Sequence, residues 1–211
     1  MYIWTSKALL AVALAACLGS AACVMPGSTP PASMTLANGG LVIAGPRGFC
    51  VDTGQSRESG SDAFVLLGSC ASLARNPLVP RPFAPAVLTA TVTAVDPDAP
   101  PLQRSFPQLK KFFASEAGRA ALSRTADANS VEVAQTLVQD DLLLIELTDG
   151  ALTEETTLQP RTWRGLMGIK DRIISFSVLG LADRPLSSAT LRSLAEDFAR
   201  TLRAANPAAT L

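Results

Sequence analysis

The sequence contains no histidine, and that absence removes more chemistry than any single residue present supplies. Without an imidazole there is no Ser-His or Cys-His dyad and no His-ligated metal site. Lysine is scarce, and the residues three before Lys110, Lys111 and Lys170 are Pro107, Gln108 and Met167. A Ser-x-x-Lys hydrolase is therefore excluded in the chain beyond its first segment. Gly68-Ser69-Cys70-Ala71 lacks the second glycine of a Gly-x-Ser-x-Gly elbow, so Ser69 reads as a strand-end residue beside a structural cysteine. The 18 Lys and Arg balance 18 Asp and Glu, and the few lysines beyond the first segment, Lys110, Lys111 and Lys170, form no polybasic patch, which argues against nucleic acid as a partner. No Cys-x-x-Cys pair, no acidic spacing of a calcium loop and no fixed-period repeat is present. These absences predict a protein without cofactor or metal.

What the chain does have begins at its N-terminus. One positive charge at Lys7 precedes the apolar run 8–16, which is well short of the roughly 20 residues a membrane helix needs. The run ends at Leu14-Ala15-Ala16-Cys17, which resembles the lipobox of bacterial lipoproteins. The resemblance implies that residues 1–16 are a removed signal peptide and that Cys17 is acylated. Ser20-Ala21-Ala22-Cys23 is the alternative, with Ser where Leu fits the pattern better. Leu18 follows Cys17 without the Asp that resembles an inner-membrane retention signal. In a cell with two membranes that implies an outer-membrane anchor facing the periplasm.

Cysteine counting bears on the same choice. An anchor at Cys17 leaves Cys23, Cys50 and Cys70, whereas an anchor at Cys23 leaves one even pair. The recognition pattern favours Cys17, and in either case Cys50 with Cys70 is the expected disulfide. Residues 17–37, rich in small residues, Pro and Ser, have the composition of a flexible tether. Residues 38–211 are then one domain, with 48% of the whole chain hydrophobic and enough length for a substantial core.

Within that domain, short apolar runs at 41–44, 47–52 and 64–70 read as strands separated by turn residues. Residues 71–85 are a Pro-rich connection, and 86–95 is a β-branched strand expected at a central position. Ser105 with Gln108 predicts a helix start, and Leu109, Phe112, Phe113, Ala117 and Ala120 give it an apolar stripe ending near Ser123. Residues 131–138 and 142–148 flank Gln139-Asp140-Asp141, and 162–169 and 173–181 flank Lys170-Asp171-Arg172, so two hairpins form a meander. Leu191, Leu194, Ala195, Phe198 and Leu202 predict a final helix before Asn206-Pro207. The sum is an α+β domain with a mainly antiparallel sheet of about six to eight strands packed against two helices. This element order resembles the Mog1/PsbP fold, which implies binding and assembly roles more often than catalysis.

The candidate site residues are few. Trp163, next to Arg161 and Arg164, suits an edge platform for a partner, while the commoner use of such a Trp is to cap the core under a helix. Asp96 and Asp98, Asp140 and Asp141, and Glu154 and Glu155 read as turn or surface acids. The expected function is an envelope lipoprotein, held to the membrane by its N-terminal lipid, whose non-catalytic domain binds an envelope protein or component. The alternative is a carboxylate-dependent enzyme acting on envelope glycans. Its starting suspects, Glu154 and Glu155, are a poor pair, because adjacent strand residues point to opposite faces.

Overall fold

The computed structural model describes residues 29–37, 40–96, 98–151 and 156–207. Cys17, Cys23, Glu154 and Glu155 lie outside them. Strands β1 (Ser33–Thr35) and β2 (Val42–Ala44) pair as a small antiparallel ribbon. The remaining strands are β3 (Phe49–Val51), β4 (Arg57–Ser59), β5 (Asp62–Ser69), β6 (Ala86–Ala94), β7 (Val131–Gln139), β8 (Leu142–Asp149), β9 (Leu158–Ile169) and β10 (Arg172–Leu181). They form one eight-stranded sheet in the order β3-β5-β6-β10-β9-β8-β7, with β4 also paired to β5. Every pairing in it is antiparallel.

The connections explain that order. After β6 the chain crosses one face of the sheet through helices α2 (Leu102–Ala114) and α3 (Glu116–Leu122) and enters the far edge as β7. Two tight turns then fold it back as the expected meander. Asp140 and Lys170 take positive φ at these turns, and the register closes at Gln139 with Leu142 and at Ile169 with Arg172. The meander ends with β10 against β6, which confirms the central place expected of that strand. A short helix α1 (Cys70–Leu73) follows β5.

Strand alternation divides the core in two. On one face Val65, Leu88, Val92, Phe176, Trp163, Met167 and Leu144 pack under helix α4 (Ser188–Ala205), whose Leu191, Leu194, Ala195, Phe198 and Leu202 are all buried. Phe176 and Phe198 meet edge to face across this interface. Asn206 ends α4 by accepting a hydrogen bond from the Val42 N–H and donating to the Val42 and Leu202 carbonyls, which ties the helix to β2. On the other face Leu143, Ile145 and Leu147 pack with Phe106, Phe113 and Leu122 of α2 and α3. Beyond those helices, β6 exposes Thr91 and Thr93 on that face.

Three details depart from the sequence reading. Ser33–Thr35 pairs in a ribbon and Leu36 is buried, so part of the stretch 17–37 assigned to a tether belongs to the domain. Three residues at an edge need only backbone bonds and one apolar anchor, which composition does not register. The turn residues between the strands expected at 47–52 and 64–70 contain a further short strand, β4. The helix expected as one piece starts at Leu102 and breaks at Ser115, whose backbone is extended. The Ser115 hydroxyl donates to the Phe112 carbonyl and accepts from the Gly118 N–H, closing one helix and capping the next. Gly118 is required there, since a Cβ would stand 1.9 Å from the Phe112 carbonyl oxygen.

Candidate functional site

Trp163, Arg161 and Arg164 do not converge. Alternation along β9 puts Arg161 and Trp163 on the α4 face and Arg164 on the other. Trp163 is 0% exposed, its indole N–H donates to the Ser188 hydroxyl at 3.2 Å, and the Arg192 guanidinium lies 6.0 Å from its ring centre. The partner-platform expectation is therefore corrected, because a fully covered indole offers no surface. Arg161 pairs with Glu146 at 3.8 Å, and Glu146 accepts a further bond from Gln135. Arg164 donates to the Leu122 carbonyl at 2.8 Å and so fastens β9 to the end of α3. Burial, and then the nearby Arg124, hold its guanidinium below the ordinary arginine range, while Asp149 acts the other way.

A shallow groove of about 460 Å³ passes beside the Trp163 edge, with Arg192 and Glu196 in its wall. A hydrogen bond from Gln139 and the charge of Arg192 pull the Glu196 carboxyl below its usual value, opposed by partial burial. Asp141 in the hairpin turn pairs with Arg203 of α4. Asp96 accepts from the Asp98 N–H, an Asx turn that closes β6. These groups answer one another, and their work is to fix α4 and the turns onto the sheet.

A larger cleft, about 710 Å³, lies elsewhere, at the end of the sheet where β5 leaves for α1 and β6 begins. Its position follows from two local constraints. The Cys50–Cys70 disulfide is formed, with both cysteines buried, and pins the start of α1 to β3. Gly48, at φ +89, lets the passing chain come so close that a Cβ would stand 2.4 Å from Arg81 and Pro82 backbone atoms. Between these fixed points the Pro-rich connection arches over the sheet end. Asn76 steadies it by accepting a bond from the Leu78 N–H.

The lining is chemically one-sided. Apolar wall comes from Leu66, Leu73, Val87 and Leu181, polar groups from Ser69, Ser72 and Asn76, and charge from Arg75, Arg81 and Arg184. No carboxylate lines it. Arg184 has its neighbour Asp183 at 3.5 Å with both side chains exposed, and Arg75 and Arg81 have no ion-pair partner among the described residues. Ser69 sits in this wall without a base beside it among the lining residues, so the cleft offers recognition of an anion and no activated nucleophile. Sequence reasoning missed this cluster. Arg75 and Arg81 lie within a segment read only as a connection, and Arg184 is about a hundred residues away.

Comparison with known proteins adds little. No family model matches the chain, and no curated protein matches it. Among solved structures, the solution structure of cyanobacterial PsbP from Synechocystis sp. PCC 6803 is similar at 14% identity and a TM-score of 0.40, over 82% of this chain and 94% of that one. A likeness at that level bears on neither ligand nor activity.

Proposed function

We propose that the chain is a lipid-anchored envelope protein, attached through Cys17 or alternatively Cys23, whose α+β domain binds a partner protein or other envelope component without transforming it. The observation that carries this reading is the N-terminal sequence, in which a charged start, a short apolar run and Leu14-Ala15-Ala16-Cys17 follow in order. By the same pattern, Leu18 after the cysteine supports an outer-membrane anchor facing the periplasm in a cell with two membranes. The chemistry of the domain supports binding. The 710 Å³ cleft brings together three arginines, hydroxyls and apolar wall, which suits recognition of an anionic group. The glycan-hydrolysing alternative calls for two carboxyl groups about 5 to 10 Å apart across a cleft, and this lining contains none.

The test is a paired one on the purified protein. Crosslinking and recovery from detergent-solubilised membranes is expected to yield a specific envelope component, with no turnover when envelope glycans are supplied. Failure to recover any specific component, together with hydrolysis of a glycan, would overturn the reading.

A further inference from the structure

Two side chains stand out on the surface next to the arginine cleft. Leu78 is 90% exposed and Phe83 is 70% exposed, well beyond the other large exposed apolar residues, Val138 at 47% and Phe112 at 42%. Single exposed apolar residues are ordinary. Here both fall in one stretch, 75–83, and Pro77, Pro80 and Pro82 restrict its backbone, so holding them outward costs little further ordering. The same stretch carries Arg75 and Arg81, and the turn after β10 adds Arg184 to the same cleft.

The order of these chemistries selects a partner. The guanidiniums call for anionic groups in a layer at the cleft, and the projecting Leu and Phe call for an apolar phase beside that layer. A bilayer of anionic phospholipid offers phosphate first and acyl chain beneath it. A protein partner would have to set an apolar recess beside its acidic groups, whereas a bilayer presents the two layers in that order everywhere.

We propose that residues 75–83 and Arg184 form a membrane-docking surface, with Arg75, Arg81 and Arg184 on the phosphates of anionic phospholipids and Leu78 and Phe83 inserted among the upper acyl carbons. The proposal rests on the envelope reading above and names the envelope component. The roughly 14 residues from Cys17 to Pro31, whose carbonyl accepts a bond from the Val51 N–H, reach at most about 50 Å, so the anchor alone does not dictate which face of the domain meets the membrane. Docking would choose one face. At about 1 kcal/mol for each basic residue near an anionic surface, three arginines shift the ratio of docked to undocked domain on the order of a hundredfold.

The test uses the full chain bearing Phe83→Trp, reconstituted in vesicles of phosphatidylcholine alone or mixed with phosphatidylglycerol, each with brominated acyl chains that quench a nearby indole. The parent chain, processed in the same way, supplies the background, from Trp163 alone once residues 1–16 are removed and from Trp4 as well where they are retained. Strong extra quenching in the anionic vesicles is expected, falling when Arg75→Gln, Arg81→Gln and Arg184→Gln are combined, and falling for the unaltered arginines when salt is raised to about 0.5 M. The salt arm holds if the triple variant fails to fold. Equal quenching in both vesicle types, indifference to salt, or capture of an acidic protein with no lipid response would overturn the proposal. An unmodified N-terminal cysteine would overturn the anchor and leave this vesicle result standing, so the two claims fail separately.

Discussion

Breaking the Cys50–Cys70 cross-link tests how the N-terminal third is held and, through α1, how the cleft wall is placed. The bond joins residues 20 apart in sequence, from β3 to the first residue of α1, with Cα atoms 4.8 Å apart. Closing a loop of that length in the unfolded chain is worth about 3 kcal/mol. For a domain of this size, each kcal/mol moves the melting midpoint by about 2–4 °C, so about 6–12 °C of thermal stability depends on the bond. The assay is urea and thermal unfolding of the oxidised wild type, the same protein under reductant, and Cys50→Ala with Cys70→Ala. The reduced wild type carries no change of side-chain volume, so agreement between it and the double variant isolates the cross-link from any void left by the lost sulfur. Both are expected to lose about 3 kcal/mol, with a larger urea slope because the freed unfolded chain exposes more surface. A loss under about 1 kcal/mol in both, with slopes unchanged, would refute the reasoning that the bond acts on the unfolded chain.

Trp163→Ala removes a fully buried indole from under α4 together with its bond to Ser188, and should cost about 3–5 kcal/mol in urea unfolding. A cost under about 1 kcal/mol would mean that Trp163 is not core. Gly48→Ala forces a side chain against Arg81 and Pro82 at a positive φ, and should destabilise by about 1–3 kcal/mol and speed proteolytic cleavage within 74–85. Unchanged stability and cleavage would contradict the close approach. The Glu196 carboxyl is lowered in the folded state, so its contribution is fully present above the ordinary carboxylate value and is lost as the pH falls through the folded one. Glu196→Gln should therefore flatten that part of the acid limb of stability against pH. An acid limb identical to wild type would contradict the Gln139 and Arg192 contacts.

The parts of the fold legible from sequence were those with a strong period or a strong turn. Helix α4 shows its buried face at 191, 194, 195, 198 and 202, and the two hairpins are marked by Asp140-Asp141 and Lys170-Asp171 between β-branched and apolar runs. The three-residue strands β1 and β4 are too short to carry a period, so they passed as tether and loop. Ser115 was invisible as a break because its cap works through Gly118, within an otherwise continuous apolar stripe. Trp163 was ambiguous because local sequence does not say which face of β9 lies under a helix. The arginine cleft was not legible at all. Its three charges meet only because β6 and β10 are neighbours in the sheet, which brings the chain on either side of them together across about a hundred residues.

The lipid anchor is tested by intact-mass and peptide mass spectrometry of the N-terminus of protein recovered from membranes. The measurement should be repeated for Cys17→Ala and Cys23→Ala. An acylated Cys17 is expected as the first residue of the mature chain, retained in Cys23→Ala and lost in Cys17→Ala. Acylation that survives Cys17→Ala would move the anchor to Cys23, and an unacylated N-terminus in every form would contradict the lipid anchor itself.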